Sequence, residues 1–177
     1  DIDARAGDVP SSHWTGFHPI EKGLFQEKSL KGLGVLAAGL LNNTEKLERL
    51  ATGLTYQPFE LANGAQELLD EVATTKITGE EERYSHIDIL DFEANDEGAA
   101  QAFADLQPAL AKIDVQLTTT ISSRFAALDT LVDTYRTDAN PSGFVYYGAL
   151  TRADKRKLAA AVKAVQEPLS QVASKVA

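Results

Sequence analysis

His18 and Glu21 stand three residues apart in the run His18-Pro19-Ile20-Glu21. On a helix, positions i and i+3 share a face, so an imidazole and a carboxylate at this spacing can converge on one ion. Di-iron bundles use the same spacing in the reverse order, Glu-x-x-His. Neutral imidazole together with carboxylate suits Fe, Zn, Cu or Mn rather than Ca or Mg. The spacing leaves a plainer alternative open, in which Glu21 favours a helix N-terminus and His18 is a partly buried polar residue.

A second set of candidates begins at Glu80-Glu81-Glu82 and continues through Tyr84, Ser85, Asp88, Asp91 and Asn95. Asp88, Asp91 and Asn95 fall at i, i+3 and i+7, a polar stripe on one helix face, with Ile87, Leu90 and Ala94 on the apolar side. Glu97 adds another carboxylate. Carboxylates on one face repel unless a cation or a proton sits between them. The alternative is a solvated acidic face. Other candidates are poorer. His13 and His86 read as surface or cap residues, and Ser122-Ser123 lies mid-helix with no histidine nearby in sequence, which leaves a serine hydrolase unsupported. No H-E-x-x-H, P-loop or G-x-G-x-x-G occurs. Phe144 with Tyr146-Tyr147 reads either as a carbohydrate-stacking platform or as a loop packed on a bundle end.

These residues must be positioned by helices. The chain has 177 residues, 44% hydrophobic and 24% charged, enough for a sizeable core in about one domain. Its formal charge of −9 disfavours a nucleic-acid partner. With no cysteine, a disulfide scaffold, a Cys-ligated zinc site, an Fe–S cluster and a thiol nucleophile are excluded. No run of 18 apolar residues occurs. The chain opens at Asp1 in what reads as a loop, so it is expected to be a processed or truncated piece. A short helix is predicted over Thr15–Phe25. A second, capped by Ser29, carries Leu33, Ala37, Leu40, Leu47, Ala51 and Leu54 as its core stripe. A third starts at Pro58 and is broken at Thr78-Gly79. Ser85 is predicted to cap a fourth, from His86 to about Leu106, and Pro108 to open a fifth that runs to Tyr135. After a loop at Thr137–Ser142, Thr151 and Asp154 form a capping-box-like start to the last helix, which Pro168 should kink or divide. The predicted fold is all-α, antiparallel up-down helix bundles. These assignments leave no long apolar stripe without a core, and a monomer is expected.

The order of motifs resembles the imelysin-like family, in particular its EfeO/EfeM group of extracytoplasmic iron-uptake proteins. Asp3-Ala4-Arg5 is followed by Trp14-Thr15-Gly16-Phe17-His18-Pro19-Ile20-Glu21-Lys22-Gly23-Leu24-Phe25. Lys76-Ile77-Thr78-Gly79-Glu80-Glu81-Glu82-Arg83-Tyr84-Ser85-His86-Ile87-Asp88 is similar to a second block of that family. Asp91-Phe92-Glu93-Ala94-Asn95-Asp96-Glu97-Gly98 continues it, and Pro168-Leu169-Ser170 closes it. The resemblance covers essentially the whole chain. It implies a helical periplasmic or lipid-anchored protein that binds iron, with Zn2+ or Cu2+ as substitutes. The ion would pass to an EfeU-type membrane iron permease, alongside a haem peroxidase of the same uptake system. It places the metal site at His18 and Glu21, with Glu82, Asp88, Asp91 and Glu97 as nearby acidic candidates. Pro19 stands where the family commonly has a basic residue, which the first helical turn tolerates.

The resemblance further implies upstream helices that complete a first bundle and contribute an acidic ligand. Residues 1–77 are therefore expected to be the remainder of that bundle and 78–177 a second bundle portion. The N-terminal cupredoxin domain that some relatives carry is not expected within these 177 residues. Two other functions stay open. The imelysin name is attached to peptidase activity, but a zinc hydrolase needs three ligands, an open water position and a base, and only two ligands and no base are identified. Some relatives are linked to acidic polysaccharide, for which Arg152, Lys155, Arg156 and Lys157 would be the contact unless they are a solvated helix face.

Overall fold

The computed structural model describes residues 1–74, 76–79 and 81–177. It divides into two compact units, Asp1–Thr55 with Glu82–Ser85, and Tyr56–Glu81 with His86–Ala177. The all-α expectation holds: the described residues form helices, with isolated bridges in place of any strand. No helix among them is long and apolar enough to cross a membrane.

The second unit is built on α3 (Pro58–Thr74), α4 (Asp88–Ile113), α5 (Val115–Asp133) and α6 (Arg152–Leu169), with a short α7 (Ala173–Val176). Each long helix packs on the next and α6 returns to α3, closing a four-helix ring that α7 covers beside α3 and α4. The core is the three/four stripe that each helix turns inward, including Leu69, Phe92, Leu110, Ile121, Leu128 and Val162. Phe103 and Phe125 stack with centroids 5.8 Å apart. Along α4 and α5 the partner number falls as the residue number rises: Glu93 pairs with Arg136, Phe103 with Phe125, Gln107 with Ser122. The two helices are antiparallel.

Two predicted boundaries are as expected. Helix α3 begins at Pro58, and α6 opens with a reciprocal Thr151–Asp154 capping box. Pro168 sits one residue before the end of α6, and α7 is the separate last piece. Pro108, however, does not open a helix. It lies inside α4, which continues to Ile113. Pro108 faces solvent while Leu106 and Leu110 on either side are buried. The Ala104 carbonyl that lacks a donor is also on the exposed side, where water can serve it. The chain turns instead at Asp114, whose carboxylate accepts from the Leu117 N–H at 2.9 Å and caps α5. Ile113, the last residue of α4, is exposed. Ser85 caps nothing; Ile87 precedes α4 without a side-chain cap.

The first unit holds α1 (Phe17–Glu21), a π-helical turn over Lys22–Gln26, and α2 (Leu33–Ala51). Helix α2 starts after Gly32 in the left-handed region at φ 80°, not at Ser29. Ser29 makes a local turn instead, its hydroxyl accepting from the Lys31 N–H. The predicted core stripe of α2 is overturned. No residue of α2 is buried; Leu33, Leu36 and Leu40 are half-covered, and Val35, Leu41, Leu47 and Leu50 are exposed. Among the described residues of this unit, α2 meets the short α1, the Gly23 backbone at Leu33 and, through Asn43, the Asp1 carbonyl, and one short helix covers only one line of a neighbour. The expectation that no apolar stripe lacks a core fails here.

Candidate metal centre

The site is assembled in the first unit from three separated pieces of chain. The N-terminal piece is held by a bridge between Asp3 and Gly16, with the Phe17 N–H donating to the Ile2 carbonyl at 2.9 Å. Trp14 Nε1 donates to the Ala4 carbonyl at 2.6 Å. Gly16 has φ 107°, and a Cβ there would sit 2.1 Å from the Ile2 carbonyl oxygen. Only glycine permits that approach, and the approach brings Asp3 beside α1. The second piece is α1 itself. Pro19 lies in its first turn, where an N–H would have no helical partner. His18 and Glu21 are both buried on the inward face. The helix then widens, the Glu27 N–H reaching back five residues to the Lys22 carbonyl at 3.0 Å. The third piece is the segment Glu82–Ser85.

His18 Nδ1 is 3.1 Å from Glu21 Oε2. Its Nε2 lies 3.2 Å from the Asp3 carboxylate but off the hydrogen-bond direction, so this buried nitrogen has no hydrogen-bond partner. Glu21 Oε1 accepts from the Tyr84 N–H at 2.7 Å, the Ser85 N–H at 2.8 Å and the Ser85 hydroxyl at 3.1 Å. The Ser85 hydroxyl is also within reach of Glu82. Its single proton serves one carboxylate at a time. His18, Glu21 and Glu82 each offer a ligand atom, and these atoms lie within 4.8 Å of one another. The hydrogen bond to Glu21 raises the His18 pKa against the opposing effect of burial, and the charges of Asp3, Glu21 and Glu82 add to it. Burial alone would raise the Glu21 pKa; the hydrogen bonds from His18, Ser85 and Tyr84 outweigh it and hold the carboxyl below its ordinary value.

One nitrogen and two carboxylates converging at this separation fit a transition-metal ion. The donors to Glu21 are the kind of outer contacts that orient a ligating carboxylate. Of the residues singled out from sequence, the first unit therefore brings together His18, Glu21 and Glu82. Asp88, Asp91 and Glu97 belong to α4 of the second unit, where Asp88 is fully buried, Asp91 half-buried and Glu97 exposed. Glu80 lies outside the described residues. Asp3 was not identified by spacing, because it reaches His18 through contacts distant in sequence, and Ser85, named among the second set of candidates, meets Glu21 across the same kind of distance. His13 and His86 are exposed, as expected. Tyr147 is not an open stacking platform. Its ring lies against Gly79, Lys155 Nζ sits 3.7 Å above its centroid, and its hydroxyl donates to the Ile77 carbonyl at 2.8 Å.

The imelysin family model matches residues 1–172, and the chain belongs to that family. It is 39% identical over 177 residues to an Efem/EfeO family lipoprotein of Staphylococcus haemolyticus (strain JCSC1435), covering 97% of this chain and 61% of the relative. It is 37% identical over 175 residues to the iron uptake system component EfeO of Escherichia coli (strain K12), covering 97% of this chain and 46% of the relative. A Staphylococcus aureus (strain MRSA252) Efem/EfeO family lipoprotein is 38% identical over 177 residues, with 62% of it covered. The chain thus spans about half to three-fifths of the length of these relatives.

Proposed function

We propose that this chain is the metal-capture part of an extracytoplasmic iron-uptake component, which binds iron through His18, Glu21 and Glu82 as cargo and does not transform it. The convergence of those three ligand atoms within 4.8 Å carries the reading. The relatives' names support it: one is an iron uptake component, and others are lipoproteins. Imidazole selects for a transition metal, and the carboxylates supply hard oxygen donors that favour iron. Zn2+ and Cu2+ are expected to compete for the same donors. Asp3, 3.2 Å from the second ring nitrogen, adds negative charge beside the imidazole. Release to a membrane permease, with a haem peroxidase as a further partner, completes the proposed route, at the outer face of the membrane or in the periplasm. The −9 charge draws cations toward the protein.

The test is iron affinity of the parent chain beside His18→Ala and Glu21→Ala, by competitive titration against Zn2+ and Cu2+, with helicity as the folding control. Each substitution is expected to weaken iron binding by about 100-fold or more. Equal affinity in parent and both variants overturns the assignment. Titrating Glu82→Gln, Asp88→Asn, Asp91→Asn and Glu97→Gln in the same way reads which acids take part. Peptide cleavage that a chelator abolishes and zinc restores would put a zinc-dependent peptidase in place of a carrier. Salt-sensitive polysaccharide retention, lost on reversing Arg152, Lys155, Arg156 and Lys157, would add that ligand.

A further inference from the structure

A groove of about 780 Å³ runs over α4 and α5 in the second unit. Its charged lining is Glu93, Asp96, Glu97, Asp129, Asp133 and Arg136, five carboxylates against one guanidinium. Arg136 is already committed. It bonds Asp133 at 2.6 Å, pairs with Glu93, and lies over the Phe144 ring at 4.6 Å. That leaves Asp96, Asp129 and Glu97 without a basic side chain in the lining to balance them. Asp96 is 2% exposed and sits at the floor of the groove. Its Oδ1 is buried with no hydrogen-bond partner. Asp129, on the antiparallel helix and exposed, lines the same groove.

This is an expensive arrangement for a helix pair that needs only apolar contacts to pack. Burial, and then Asp129, Glu97 and Glu93, push the Asp96 carboxyl up to about 8. It therefore carries a proton at neutral pH when nothing else occupies the pair. A pair of carboxylates facing each other from adjacent antiparallel helices, one with an unused oxygen, matches the donor set of a hard cation.

We propose that Asp96 and Asp129 form a second cation site, independent of the His18 centre, which takes an oxygen-preferring divalent ion of the Ca2+, Mg2+ or Mn2+ class. The groove is open, so water completes the coordination shell. Glu97 contributes charge from the rim. The absence of a nitrogen donor among the lining side chains separates this site from the His18 centre by chemistry.

The experiment titrates the whole chain with Mn2+ and with Ca2+, following Mn2+ by electron paramagnetic resonance and both ions by calorimetry. The variants are Asp96→Asn, Asp129→Asn and the double His18→Ala/Glu21→Ala. Asp96→Asn or Asp129→Asn should weaken Mn2+ and Ca2+ binding by about tenfold or more and leave iron binding unchanged. The His18/Glu21 double variant should keep the Mn2+ and Ca2+ site. Asp129 is exposed, so its variant reports on the site even where a change at the buried Asp96 disturbs folding. Failure of both ions to bind the parent, or binding that both aspartate variants retain, overturns the proposal. So does Mn2+ binding that disappears only in the His18/Glu21 variant.

Discussion

Each unit buries a carboxylate, and the two titrate in opposite directions. Glu21 is held below its ordinary value and Asp96 is pushed up to about 8. Burial raises both. The difference is the supply of donors: Glu21 accepts from two backbone N–H groups, a hydroxyl and an imidazole, whereas the groups shifting Asp96 beyond burial are Asp129, Glu97 and Glu93. Whether a buried acid stays charged is decided by what points at it. The units differ in the same way in their packing. The second closes a ring of helices around an apolar core, while Ala4 is the only buried apolar residue of the first among the described residues. Polar contacts around Glu21 hold the first unit's site together, and apolar contacts hold the second unit's helices.

The largest test of this contrast is a pair of leucine truncations. Leu69→Ala, at a fully buried position of α3, should cost about 2–5 kcal/mol in denaturant unfolding. Leu50→Ala, at a position of α2 that is 70% exposed, should change stability by less than about 0.5 kcal/mol. A comparable loss at both positions would mean that α2 packs in solution as tightly as the core helices.

Asp96→Asn sharpens the electrostatic half. The unfolded carboxyl ionises near 3.8 and the folded one near 8. The protonated form is thus favoured by folding, and the stability it contributes is complete below about pH 4 and lost as pH rises toward 8. Asparagine cannot ionise and can still donate to Asp129. The variant should nearly equal the parent at pH 4 and exceed it by on the order of 5 kcal/mol at pH 8, read from unfolding midpoints across that range without added metal. A parent whose stability is flat from pH 4 to 8 would remove the contrast with Glu21.

The smallest expected effect is at Ser85. Ser85→Ala keeps the backbone N–H to Glu21 but removes the hydroxyl within reach of Glu21 and Glu82. Iron affinity should fall by about tenfold in competitive titration, with the fold intact. An unchanged affinity would show that the backbone donors alone position the carboxylate.

Sequence alone determined whatever is settled within a turn of helix. The three/four periodicity, Pro58 at the start of α3, the Thr151–Asp154 capping box and the His18–Glu21 pairing all depend on residues no more than four apart. The family resemblance added Glu82, which local spacing could not join to His18. Tertiary structure decided the rest. Leu106 and Leu110, packed in the core, carry α4 through Pro108 against its local preference, and the turn falls at Asp114. Ser85 has the composition of a cap but spends its hydroxyl on carboxylates. Asp3 reaches His18 because a glycine at Gly16 admits the Ile2 carbonyl. Asp96 meets Asp129 because α4 and α5 pack antiparallel in one register. Each of these contacts joins residues far apart in the chain, and their free energy depends on how packed elements are aligned, which no local pattern encodes.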